Sequence, residues 1–123
     1  MKIPSISESE YRFCLILWRE EPISSSDLAK ICEKELGWKR TTTYTVVKRL
    51  SSRKIVEVEN GLVKALISKE NVQSREMDYM FHNKFEGSIP SFLNAFAKLD
   101  TIKEEDILQI EEMIKKMRDG KNE

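Results

Sequence analysis

Residues 40–67 read RTTTYTVVKRLSSRKIVEVENGLVKALI, and the two halves of this stretch have different periods. In the first half Thr43, Val46, Val47 and Leu50 recur at helical spacing, so they share one face and must point into a core. Thr41, Tyr44, Thr45, Lys48 and Ser52 fall on the opposite face, with Thr42 and Arg49 on a flank. β-Branched residues are weak helix formers, so a helix over about Arg40 to Arg53 must rely on tertiary packing. In the second half Asn60-Gly61 separates two β-prone runs, Ile55 to Glu59 and Leu62 to Ile67. A two-residue hairpin turn of type I′ needs positive φ at both positions, and Asn-Gly supplies it, so a β-hairpin is expected.

Two more helices are expected upstream. Ser7-Glu8-Ser9-Glu10 has the capping-box pattern, with Ser7 as N-cap and Glu10 reaching back. It opens a helix over about Glu8 to Glu20, in which Tyr11, Leu15 and Trp18 keep helical spacing. Pro22 stops that helix, and Ile23 offers a very short edge strand. Ser24-Ser25-Ser26-Asp27 supplies N-caps for a second helix that carries Leu28, Ile31 and Cys32 on one face and stops at Gly37. Three helices followed by a two-stranded ribbon make the winged form of the helix-turn-helix.

The charge pattern gives this fold a direction. Between Glu35 and Glu57 stand six bases, Lys39, Arg40, Lys48, Arg49, Arg53 and Lys54, and no acid, while the whole chain has 21 Lys+Arg against 21 Asp+Glu. Residues 1–67 hold 12 bases against 9 acids, and residues 68–123 hold 9 against 12. A basic surface beside short hydroxyls suits double-stranded DNA. Thr41, Thr42, Tyr44 and Thr45 are the candidates for base contacts. Lys39, Arg40, Lys48, Arg49, Arg53, Lys54 and the wing residue Lys64 are the candidates for phosphate contacts.

The remainder reads as helix. Met77, Phe81 and Phe85 make an i, i+4, i+8 stripe that ends at Gly87. A short helix around Ser91–Lys98 carries Phe92 and Phe96, and Thr101-x-x-Glu104 has a capping-box pattern for a last helix to about Arg118. In that helix Ile107, Ile110, Ile114 and Met117 repeat at 3, 4 and 3, a coiled-coil-like seam. About 56 residues with several apolar stripes bury them poorly alone, so a homodimer through Phe81, Phe85, Phe92, Phe96, Ile107, Ile110, Ile114 and Met117 is expected. The chain is thus expected to be mainly α, with a winged-helix DNA-binding domain over 1–68 and a helical dimerisation domain over 69–123.

Other functions fit less well. No apolar run approaches a membrane span, so no membrane insertion is expected. The first residues lack an export pattern, and two cysteines suit a reducing compartment, so a cytoplasmic protein is expected. Cys14 and Cys32 fall on apolar helix faces and read as buried small hydrophobes. His82 is the one histidine and has no cysteine near it in sequence, so neither a metal nor a cofactor is expected. No nucleophile–base pair or carboxylate cleft marks an enzyme, so catalytic residues are not expected. The alternative to a DNA-binding repressor is a helical dimer scaffold whose winged helix binds protein.

The chain resembles the BlaI/MecI family of penicillinase repressors, a branch that also holds copper-responsive repressors, over nearly its full length. Three features carry the resemblance: Ile6-Ser7-Glu8-Ser9-Glu10 with Leu17-Trp18, Trp38-x-x-x-Thr42-x-x-Thr45-x-x-x-Arg49-Leu50, and Phe85-Glu86-Gly87-Ser88. The resemblance implies a cytoplasmic dimeric repressor that binds a pseudo-palindromic operator and blocks transcription until induced. Lys39-Arg40 stands where the family usually has Ser-Pro, Lys54 where it usually has glycine, and Ala65 and Leu66 where it has a wing aromatic. These departures leave the operator sequence open. In the family a membrane sensor protease pathway leads to cleavage of an Asn-Phe bond, matched here by Ala95-Phe96. The copper-responsive members carry a cysteine-rich C-terminal motif, whereas this chain has no cysteine after Cys32. The inducing signal stays open between β-lactam, copper and others.

Overall fold

A computed structural model describes residues 3–121. Its elements are α1 (Glu8–Glu20), β1 (Ile23–Ser24), α2 (Ser25–Leu36), α3 (Arg40–Ser52), β2 (Val56–Glu59), β3 (Leu62–Ala65), α4 (Lys69–Lys84), α5 (Ile89–Phe96) and α6 (Glu104–Lys121). The chain forms two compact units, Met1–Asp78 and Tyr79–Glu123.

Local chemistry sets the ends of the first helices. Ser7 Oγ accepts the Glu10 N–H at 3.2 Å and Glu10 Oε1 accepts the Ser7 N–H at 2.9 Å, which completes the capping box of α1. Ser24 Oγ accepts the Asp27 N–H at 3.1 Å to open α2. Gly37 closes it at φ 70, a left-handed conformation that glycine adopts without penalty. Trp38 then stacks on Phe13, with ring centroids 6.0 Å apart and planes 4° from parallel.

The wing follows from the Asn-Gly turn. Asn60 and Gly61 take φ 55 and 77, as type I′ geometry requires. β2 and β3 pair antiparallel with Val56 opposite Ala65 and Val58 opposite Val63, and β1 adds Ile23 opposite Val63 on the other edge. The sheet order is therefore β1-β3-β2. Because β1 has only two residues, the Glu21 carboxylate takes the Ala65 N–H at 2.9 Å beyond its end.

The core of this unit joins all three helices to the wing. Phe13, Leu17, Leu28, Leu50, Ile55, Val56, Val63 and Val72 are fully buried, together with Cys14 and Cys32. Each large apolar side chain contributes about 1.5–3 kcal/mol of transfer free energy. The arrangement is a winged helix.

In the second unit no residue of α5 or α6 is buried. Its aromatics pack on one another: Phe92 meets Phe81 at 6.2 Å, Phe85 at 5.4 Å and Phe96 at 6.3 Å between ring centroids. Two expected boundaries shift. α5 starts at Ile89 and not near Ser91, because Ser88 is the N-cap, its Oγ accepting the Ser91 N–H at 3.2 Å, and Pro90 fits the first turn. α6 is not capped by Thr101. Lys103 fills that place, its carbonyl accepting the Ile107 N–H at 3.1 Å while Asp106 Oδ2 accepts the Lys103 N–H at 3.0 Å.

Candidate nucleic-acid interface

α3 has one face in the core and one in the open. Thr43, Val46, Val47 and Leu50 are buried, whereas Thr41, Thr42, Tyr44, Thr45, Lys48 and Arg49 are exposed. Two grooves flank the exposed face. One, of about 350 Å3, is lined by Ser9, Trp38, Thr41, Thr42, Thr45, Val46 and Arg49. The other, of about 540 Å3, is lined by Ser25, Tyr44, Val47, Lys48, Ser51, Ser52 and Val58. The helix therefore stands out as a ridge between α1 and the wing.

The start of this ridge is electropositive by construction. α1, α2, α4 and α6 each carry an acid in the first turn, and α3 carries none. Its N-cap is Lys39, which makes no side-chain capping hydrogen bond, and Arg40 follows. The unshared N–H groups and the positive end of the helix dipole are thus left facing solvent beside two cations.

The hydroxyls are not equivalent. Thr45 Oγ1 donates to the Thr41 carbonyl at 2.9 Å, a back-bond within the helix that leaves the oxygen free only to accept. Thr43 Oγ1 is buried with no conventional hydrogen-bond partner and lies against the Cys32 thiol.

The six bases divide into two groups once folded. Among the described residues Lys39, Arg40, Lys48 and Lys54 make no ion pair. Arg49 Nε donates to Glu10 Oε2 at 2.9 Å, and Arg53 Nη1 lies 3.4 Å from both Glu10 oxygens. Arg53 Nη2 also donates to the Ser5 carbonyl. On the wing, Lys64 meets Glu57, its cross-strand partner, at 3.3 Å. The basic run free of acids in sequence is therefore partly neutralised in space. Sequence reading missed Glu10 as the partner because its capping pattern accounts for only one of its two oxygens. Ser9, Ser25 and Val58 also line the flanking grooves, and no periodic signal marks them.

Burial alone would raise the Glu10 carboxyl, but the Ser7 N–H and the Arg49 guanidinium outweigh it and hold the group below its ordinary range. Cys14 moves the other way. Burial and the nearby Glu10 charge push its thiol up to about 12. Burial also raises Cys32. Both thiols stay protonated and unreactive at neutral pH.

Of the expected dimer residues, Phe81, Phe85, Phe92 and Phe96 are half-buried in the aromatic cluster, and Ile110 is half-buried on α6. Ile107, Ile114 and Met117 are exposed, at 40%, 51% and 63%. Among the described residues no helix is long and apolar enough to cross a membrane.

A family model described as penicillinase repressor matches residues 6–116. The chain belongs to the penicillinase repressor family. Members of this family regulate transcription as DNA-binding repressors and are not enzymes. A comparison with curated proteins finds no match. Membership also gives Lys54 a structural meaning. It takes φ 60, a left-handed backbone that favours the glycine the resemblance places here.

Proposed function

We propose that this penicillinase repressor binds a pseudo-palindromic operator as a homodimer in the cytoplasm and blocks transcription until an inducing signal releases it. The observation that carries the reading is the uncovered ridge of α3, cationic and hydroxylated on one face and packed into the core on the other. Such a helix fits the major groove, with its first residues nearest the bases. Thr41, Thr42, Tyr44 and Thr45 then face base edges. Thr45, with its proton committed, accepts from an adenine or cytosine amino group or lays its methyl on that of thymine. Lys39, Arg40, Lys48 and Lys54 meet phosphates, as do the outer N–H groups of Arg49 and Arg53; Lys64 joins them by leaving Glu57.

Two copies supply the symmetry. Leu93, Leu99, Ile107, Leu108, Met113, Ile114 and Met117 are all at least 40% exposed within one chain, more apolar surface than a short helical unit leaves in water. Residues 69–123 act in this reading as the dimerisation domain and residues 1–68 as the DNA-binding domain. A membrane sensor protease pathway acting at Ala95-Phe96 would have to unwind the end of α5, where that bond lies.

Selection of duplexes from a random pool, followed by footprinting and sedimentation, tests the proposal. Two related half-sites about one helical turn or a multiple apart, protected by two copies of the chain, are expected. A single unpaired site bound by one copy would overturn it.

A further inference from the structure

The Glu10 carboxylate does more than close a helix. Oε1 completes the α1 cap by accepting the Ser7 N–H at 2.9 Å, and Oε2 takes the Arg49 Nε–H at 2.9 Å. Arg53 Nη1 is shared between the two oxygens. The Glu10 side chain is only 6% exposed, while Arg49 and Arg53 are 47% and 37% exposed. A buried carboxylate thus grips two guanidiniums whose outer edges reach the surface. The grip uses one of the five N–H donors of Arg49, and among the described residues its other four make no hydrogen bond. Arg49 also lines the same groove as Thr41, Thr42 and Thr45.

We propose that Glu10 is a positioning residue for DNA recognition, clamping Arg49 and Arg53 so that they meet phosphates only in the register that sets Thr41, Thr42 and Thr45 against the bases. The inference rests on the DNA-binding reading. A free arginine spreads over many rotamers and finds a phosphate in almost any register; a clamped one has given up that freedom before binding. The clamp has an electrostatic cost. One carboxylate against two guanidiniums leaves a single net positive charge where two would draw any polyanion more strongly. Glu10 therefore weakens indiscriminate attraction and sharpens register, effects of opposite sign on random and preferred DNA.

Glu10→Gln separates the roles, because glutamine keeps the side-chain oxygen of the capping box and loses the charge. The full chain is titrated, across a range of salt, with the duplex that the wild type enriches from a random pool and with a scrambled duplex of equal composition. For the variant, the scrambled duplex is expected to bind about threefold more tightly, with a salt slope steeper by about one. Its preference for the enriched duplex is expected to fall about tenfold. Parallel weakening on both duplexes with an unchanged slope, or no change at all, would overturn the proposal. If Glu10→Gln does not fold, Arg49→Lys decides. It keeps the charge count and removes the planar fork, so preference should fall about tenfold at an unchanged slope. An undiminished preference overturns the proposal. Should the wild type enrich no sequence and bind no duplex, the DNA-binding reading fails and takes the inference with it, a result visible before any variant is made.

Discussion

The Trp18 indole N–H donates to the Ile67 carbonyl at 2.9 Å, tying the end of α1 to the chain that leaves the wing. The bond spans 49 residues and bridges two elements that also share the core. Trp18→Phe keeps most of the apolar ring and leaves that carbonyl without its partner. A loss of about 1 kcal/mol is expected, read as a lower midpoint of urea unfolding at unchanged slope. An unaltered midpoint would show that water replaces the indole at no cost.

The buried Thr43 hydroxyl gives a prediction of opposite sign. Its oxygen has no conventional partner, and the shape of valine matches threonine closely. Thr43→Val should stabilise the winged helix by about 1 kcal/mol, since an unsatisfied buried polar group is removed. Thermal unfolding would show a higher midpoint. A fall would mean that the contact with Cys32 is worth more than the hydroxyl's desolvation.

Acid should loosen the junction of α1 with α3. The folded Glu10 carboxyl is depressed below its ordinary value of 4.5, so it adds stability above that value and loses it as pH falls through the folded one. The gap in melting temperature between wild type and Glu10→Gln should hold steady near neutrality and close below about pH 4.5. A gap as wide in strong acid as at neutral pH would contradict the assignment.

Thr45→Val should alter which sequence is preferred without altering stability by more than about 0.5 kcal/mol, because the back-bond it removes contributes little to the helix. Selection from a random pool should show the change at one position in each half-site. Identical preferences would remove Thr45 from the base-reading set.

Short-range signals were legible in sequence and long-range ones were not. The face of α3 follows from the spacing of Thr43, Val46, Val47 and Leu50, and the wing follows from Asn60-Gly61, because each depends on residues a few positions apart. The partnership of Glu10 with Arg49 crosses 39 residues, and that of Glu21 with the Ala65 N–H crosses 44. Neither leaves a periodic trace. The start of α5 and the cap of α6 shift for a different reason. Several residues near Ser88 and Lys103 could cap, and only the folded backbone selects among them. In the candidate interface, the positions of the hydroxyls and bases were readable, but the division of the bases into paired and unpaired was not.

The most direct test of the central claim, that the open face of α3 binds duplex DNA, is the affinity of the full chain for a duplex as salt rises. Four unpaired cations and the one net positive charge of the cluster of Glu10, Arg49 and Arg53 predict a linear fall of log affinity with log salt, with a slope of roughly −4 to −5 per copy bound. A chain that ignores every duplex in dilute buffer, or binds with no dependence on salt, would contradict it.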